Sequence, residues 1–364
     1  MKRFGYLTML LVVLLLFTSC TATVGPDTRM GNLTGFVGVR KGVSINSQEL
    51  DGSDIIVATE YIGDYQPLPG AVVKVSSRYT ASTGSDGMFY VRNIPVGKHR
   101  VIIDHKKLRT PIVWNNLPIE RGENPKDADA YGFIGGIGYY IVIGVEYYPY
   151  LLEDAPGAIN DARKAYDLFR YDTTLVGKVY SLFDSEANRG EIQRIIAQAA
   201  FDATDDDYLV FYFAGLTGSD YISPYDERPN WVNRIKDWEL ENWLSAFPGD
   251  VTVIVDGSES FSLADGEIHP TALKKPKYTV ISSSKGEKNY VHPNSGNGLF
   301  TYFLSEGLRY HLADENDDRK VTAAEIHQYT EDEIRSYLQA YYPNEELQTP
   351  YLWPRGSNSV IFRY

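Results

Sequence analysis

YLVFYFAGLTG at residues 208–218 and VTVIVDGSES at residues 251–260 decide the fold. Each is an apolar run, rich in β-branched and aromatic residues, that stops at a glycine and a polar turn. An unbroken run, rather than an alternation, suits a strand buried on both faces. The same pattern recurs on either side. YYIVIGVEY (139–147), Lys178–Phe183 and YTVISSS (278–284) read as further strands, and Ser359–Phe362 as a last one. Between them lie helical stripes. Ala155–Phe169 lines up Ala158, Ala162, Ala165, Leu168 and Phe169, and Arg189–Ala200 lines up Ile192, Ile195, Ile196 and Ala199 behind Asn188 as an N-cap. Trp238–Phe247, Gly298–Tyr310 and Thr322–Leu338 complete the set. Strand and helix in alternation imply right-handed crossovers and a mainly parallel α/β sheet covered on both faces. Ligands of such sheets bind beyond the carboxyl ends of the strands. The segments to watch are therefore AGLTGSD (214–220) and DGSES (256–260).

The 364 residues leave room for two or three domains. Hydrophobic residues at 43% and charged residues at 23% exclude wholesale disorder, collagen and coiled coil. A net charge of −13 argues against broad attraction to nucleic acid. The lone cysteine, Cys20, excludes an intramolecular disulfide, a cysteine-ligated zinc and a thiol nucleophile anywhere else in the chain. The 28 tyrosines are numerous, and read as compositional bias before a recognition surface.

The amino terminus has a basic start (Lys2, Arg3) and an apolar core, Leu7–Phe17, too short for an ordinary transmembrane helix. Small residues follow. This pattern predicts a signal peptide over residues 1–19. LLLFTSC (14–20) resembles a bacterial lipobox with Phe17 where leucine is usual, and the resemblance implies cleavage before Cys20 and lipidation of its thiol. Plain secretion is the simpler alternative. Removing Lys2 and Arg3 leaves 33 basic against 48 acidic residues, a net charge of −15. Residues 20–32 read as a flexible tether, so the expectation is an exported protein held by lipid in the bacterial cell envelope.

Residues 33–118 carry short β segments between turn signals: Thr34–Val39, Ile55–Glu60, Ala71–Ser77, Met88–Arg92 and His99–Asp104. LPGAVVKV (68–75) and STGSDGMFYVRNIPVG (82–97) resemble the carboxypeptidase regulatory-like domain, which implies an all-β, prealbumin-like sandwich serving as spacer or packing partner. The insert Gly42–Asp54 is longer than that module suggests. Residues 119–137, charged and with Gly and Pro, read as a linker to a domain over 138–364.

That larger domain resembles the caspase and metacaspase superfamily of cysteine peptidases. The matching stretches are YYIVIGVEYYP (139–149), APGAINDARKAYDLF (155–169), YLVFYFAGLTG (208–218), VTVIVDGSES (251–260), GNGLFTYFLSEGL (296–308) and ADENDDRKVTAAEI (313–326). The resemblance implies a caspase-like three-layer sandwich. It also implies a histidine base after the third strand, in a Ser-Gly-His-Gly type motif, and a cysteine nucleophile after the fourth, in Asp-x-Cys-x-Ser. Here those places read Ala214-Gly215-Leu216-Thr217 and Asp256-Gly257-Ser258-Glu259-Ser260. Leu216 stands for the histidine and Ser258 for the cysteine, 42 positions apart.

A thiol is activated easily because its pKa of about 8.5 is readily lowered, whereas a serine hydroxyl needs an adjacent base, and leucine accepts no proton. The expectation is a degenerate dyad and a pseudoenzyme. Its role would be to bind or scaffold a protein or peptide partner, with no cofactor. Two alternatives stand beside it. One is a hydrolase in which Ser258 uses a relocated base, with His269, His292 and Glu259 as candidates. The other is a purely structural envelope lipoprotein.

The metacaspase resemblance further implies that Asp161 and Asp256 hold a basic substrate side chain. Their simpler readings are a first-turn carboxylate on a helix and a cap at a strand end. Finally, Asp314, Asn316, Asp318, Thr322 and Glu325 fall at positions 1, 3, 5, 9 and 12 of an EF-hand-like loop. Arg319 sits where that loop uses glycine, and Thr322-Ala-Ala-Glu325 fits a helix capping box, which is the preferred reading over calcium.

Overall fold

The computed structural model describes residues 29–41, 45–46, 65–126, 128, 130–264, 272–286 and 288–364. Signal peptide, Cys20, the strand expected at Ile55–Glu60 and His269 lie outside the described residues.

The large domain is built on one sheet. Its strands are β1 (Gly138–Gly144), β2 (Gly177–Phe183), β3 (Tyr208–Ala214), β4 (Asp250–Asp256), β5 (Tyr278–Ser282) and β6 (Tyr351–Trp353). Their spatial order is β2-β1-β3-β4-β5-β6. Every pair is parallel except β5–β6. Ile45–Asn46, inside the long insert, adds a parallel edge to β2.

Five helices cover the sheet: α1 (Ala158–Asp167), α2 (Arg189–Asp202), α3 (Asp237–Leu244), α4 (Leu299–Arg309) and α5 (Ala323–Tyr341). Alternate strand residues face opposite layers, as period two requires. Tyr140, Val142, Val210, Tyr212 and Ile254 join α1, α4 and α5 in one apolar core. Ile141, Ile143, Phe211, Phe213 and Val253 join α2 and α3 in the other. This is the three-layer caspase-like arrangement. At Gly144 a Cβ would stand 2.5 Å from that of Ala162, so the missing side chain lets α1 lie close on β1. Asn188 caps α2 as expected, its side chain accepting from Glu191 N–H at 3.0 Å.

The amino-terminal strands form two sheets. In one, Met30–Arg40 pairs with Tyr65–Pro67, Met88–Pro95, Gly122–Asn124 and Tyr131–Gly135. In the other, the order is Tyr79–Ser82, Val72–Val75, Gly97–Asp104, Ile112–Ile119. Leu33, Val37, Val73, Phe89, Val101, Ile103 and Phe133 belong to a core continuous with the α2/α3 side of the large sheet.

Two boundaries differ from the sequence reading. The first strand already begins at Met30, within the expected tether. The expected linker, 119–137, contributes two strands, both parallel to Met30–Arg40. Polar composition hid Gly122–Asn124, where Asn124 is buried through hydrogen bonds: its side chain accepts from Glu120 N–H at 3.0 Å and donates to the Asn32, Glu120 and Gly122 carbonyls at 2.9–3.1 Å.

At the carboxyl end, Val360–Arg363 does form a strand, but it pairs with Lys320–Thr322 and not with the large sheet, whose last edge is β6. Arg363 there donates to Asp104 at 3.1 Å and to the Leu108 carbonyl at 2.7 Å, joining the two domains. Among the described residues no helix is long and apolar enough to cross a membrane.

Candidate functional site at the strand ends

β3 and β4 run in register from Tyr208 opposite Asp250 to Ala214 opposite Asp256, so their carboxyl ends deliver Leu216 and Ser258 side by side. Gly215 N–H donates to the Asp256 carbonyl at 3.2 Å, prolonging the ladder. The Thr217 hydroxyl then donates to the Ser258 carbonyl at 2.5 Å and ties the two turns together. Thr217 was not singled out in the sequence, since only the pairing of two distant turns gives it a partner.

Leu216 is half-buried against the apolar core. Its N–H donates to the buried Tyr148 hydroxyl at 2.8 Å, which itself donates to the Ser223 carbonyl at 3.1 Å. Burial pushes the Tyr148 phenol well up, so it stays protonated and serves as a fixed strut. Ser258 is half-buried, and among the described residues no hydrogen bond reaches its hydroxyl.

Of the candidate bases, His269 lies outside the described residues, and Glu259 and the histidines that are described make these contacts, with the buried His292 Nδ1 left without a hydrogen bond among the described residues. Glu259 has a left-handed φ of 54°, its N–H donates to the Gly286 carbonyl at 2.8 Å, and its carboxylate accepts from Ser219 at 3.3 Å. His292 stacks on Tyr302 with ring centroids 4.1 Å apart, and His311 stacks on Tyr364 at 3.3 Å. His99, His105 and His327 lie against the Pro95, Pro69 and Pro350 carbonyls at 2.7, 3.2 and 3.3 Å.

Asp161 and Asp256 meet beneath the same loop. Asp161 comes from the first turn of α1 and Asp256 ends β4. Asp161 accepts from the Asn297 side chain at 2.9 Å and from Gly298 N–H at 3.0 Å. Asp256 accepts from the Thr301 hydroxyl at 2.7 Å and from Asn289 at 3.4 Å. Thr301 in turn bonds the buried Tyr212 hydroxyl at 2.5 Å. A Cβ on Gly298 would stand 3.1 Å from one Asp256 oxygen and 3.2 Å from one Asp161 oxygen, so any side chain there would press on both carboxylates.

Both acids are buried, 5% and 7% exposed. Burial, and then the charge on Asp256, raise Asp161 to about 8 against the pull of Asn297 and Gly298. Burial likewise raises Asp256. The pair therefore keeps a proton at neutral pH and carries about one negative charge, not two. Asn297, Gly298 and Thr301 are the partners the sequence reading missed. The only signal for them was the GNGLFT run just ahead of and into α4.

The acidic loop at 314–325 closes on itself. Asp314 accepts from the N–H groups of Asp318 and Arg319 at 3.2 and 2.9 Å, and from the Tyr364 hydroxyl at 2.7 Å. Asn316 donates to Glu325 at 2.8 Å. Arg319 takes the left-handed φ of 65° that glycine would take more cheaply. Thr322 is the N-cap of α5, with Glu325 completing the capping box. Among the described residues no group of three or more His, Cys, Asp or Glu side chains is arranged to hold a metal ion.

Residues 137–352 match the caspase domain family. The chain belongs to that family. Solved structures similar to this caspase-domain protein include pro-sf-caspase-1, at 16% identity over 60% of this chain and 90% of that one, with a TM-score of 0.43. Caspase-1 from Spodoptera frugiperda is 14% identical over 60% and 86%, TM-score 0.42. A protein from Geobacter sulfurreducens is 15% identical over 60% and 92%, TM-score 0.39. No curated protein matches the chain.

Proposed function

We propose that this caspase-domain protein is a non-catalytic member of its family, exported and tethered by lipid on Cys20, that binds a protein or peptide partner. The observation that carries the reading is that Leu216 and Ser258 follow the neighbouring strands β3 and β4 at the places the resemblance gives to base and nucleophile, with no base bonded to the serine among the described residues. General-base catalysis is worth about 10²–10⁴-fold, and a hydroxyl depends on it more than a thiol does. The Thr217 latch further supports the reading, because it spends the neighbouring hydroxyl on a backbone carbonyl. The amino-terminal β domain acts in this reading as a prealbumin-like spacer.

Asp161 and Asp256 are the candidate anchor for a basic side chain of the partner. A guanidinium or ammonium arriving beside the half-protonated pair would draw off its proton and gain a second carboxylate. Both acids lie under Gly298, so entry requires the 295–298 turn to lift.

The test is turnover of fluorogenic peptides carrying Arg, Lys or Asp at the scissile position, by the purified protein and by Ser258→Ala. The expected result is no cleavage by either. Installing Leu216→His with Ser258→Cys should restore a trace at most, and each change alone nothing, since base and nucleophile act as a unit. Cleavage by the unmodified chain that disappears in Ser258→Ala would establish Ser258 as a working nucleophile and reject the reading.

A further inference from the structure

At the opposite, amino end of the large sheet lies a polar cavity of about 190 Å³ between the two domains. The amino-terminal domain contributes Arg109, from the turn between Gly97–Asp104 and Ile112–Ile119. The caspase domain contributes Asp205 and Asp206, from the turn before β3, and Asp250 and Tyr208, which open β4 and β3.

Arg109 is 7% exposed, with its guanidinium 4.7 Å over the Tyr208 ring. That contact satisfies none of its five N–H donors. No hydrogen bond from the Arg109 side chain occurs among the described residues, and no carboxylate oxygen lies within 4.0 Å of it. Its nitrogens open onto the cavity, where an anionic group could accept their charge-assisted hydrogen bonds. Its neighbour Asp207 is not available. That carboxylate accepts from Ile137 N–H at 2.8 Å and from Thr204 N–H at 2.7 Å, and pairs with Arg40. Asp205, Asp206 and Asp250 have neither ion pair nor side-chain hydrogen bond among the described residues.

The cavity thus has one unpartnered cation at its wall and three unpartnered carboxylates about it. An anion alone would face the carboxylates, and a metal cation alone would face the guanidinium. A molecule carrying both charges a few ångströms apart satisfies both. We infer that this cavity is a binding site for a small zwitterion of the α-amino acid class, its carboxylate on Arg109 and its ammonium toward Asp205, Asp206 and Asp250. The cavity is small, which favours a compact zwitterion such as glycine, alanine or serine. Because the charged walls come from different domains, the ligand would also strengthen their docking, so binding should raise the melting temperature.

Calorimetry and thermal-shift titration of the full chain with alanine test this, with acetate and methylammonium as single-charge controls. Alanine should bind saturably and raise Tm, and each control should bind at least tenfold more weakly. Asp250→Asn, on an exposed residue, should weaken alanine about tenfold, the usual loss for one charge-assisted contact. Arg109→Lys should weaken it at least as much while keeping a cation over Tyr208. Absence of saturable alanine binding up to 50 mM (about the weakest useful site) overturns the inference. So does acetate binding as tightly as alanine, or alanine binding that ignores both substitutions.

Discussion

Replacing Asp161 with asparagine fixes that member of the buried acid pair in an uncharged form, and the consequence can be worked from the structure. In the folded chain Asp161 titrates at about 8, against an ordinary 3.8. Between those values the native state holds a proton that the unfolded chain has released. The native state thus binds more protons, and stability falls as pH rises. The contribution is fully present below about pH 3.8 and lost by the time pH passes about 8. Four units at about 1.36 kcal/mol each set a ceiling near 6 kcal/mol. Relaxation around the ionised pair and entry of water reduce the expected loss to roughly 2–3 kcal/mol.

Asparagine keeps an oxygen for Asn297 and Gly298, so the variant should lie within about 1 kcal/mol of the parent at pH 5, where only the first part of the loss has occurred. At pH 9 it should be the more stable of the two by roughly 2–3 kcal/mol. Urea unfolding followed by tryptophan fluorescence at pH 5, 7 and 9 measures this directly. Subtracting the two curves cancels the titrating groups remote from the pair and leaves the Asp161–Asp256 coupling. Parallel pH profiles, or a variant less stable than its parent at pH 9, would refute the account of two buried carboxyls sharing one proton.

Cys20→Ala should move the protein from the membrane fraction to the soluble fraction, and retention on membranes would remove the basis for a lipid tether. Calcium titration of the full chain should show no micromolar site, because the acidic loop already satisfies its own N–H donors and Arg319 occupies the glycine position. Micromolar affinity abolished by Glu325→Gln would reverse that expectation.

The strands of the large sheet were legible because β1, β3, β4 and β5 are buried on both faces and must be written as apolar runs. Helix α2 announced its start through Asn188, and α5 through Thr322 and Glu325. β6 was not legible. It is three residues long, lies between Pro350 and Pro354, and owes its pairing to β5 rather than to any local pattern. Gly122–Asn124 was equally silent, its residues polar and its buried member, Asn124, satisfied by nearby carbonyls together with that of the distant Asn32.

At the strand ends the sequence located Leu216, Ser258, Asp161 and Asp256 by their places after strands and in a helix. It did not show that Thr217 bridges to Ser258, nor that Asn297, Gly298 and Thr301 close over the acids. Those contacts join segments that begin 41 or more residues apart in the chain, or that only a tertiary turn brings into range.

The clasp between Arg363 and Asp104 has a consequence in time. The two residues are separated by 259 positions, and the Leu108 carbonyl that shares the same guanidinium is separated by 255. A ribosome adding about 5–20 residues per second needs on the order of 10–50 s to cover that span. Throughout that interval the amino-terminal sheets exist without the arginine that will bind them to their neighbour. Asp104 and the Leu108 carbonyl must meanwhile be hydrated. The part of the union that rests on this clasp is therefore a late event. It is also an event that Arg363→Ala would weaken by removing the guanidinium that holds Asp104 and the Leu108 carbonyl.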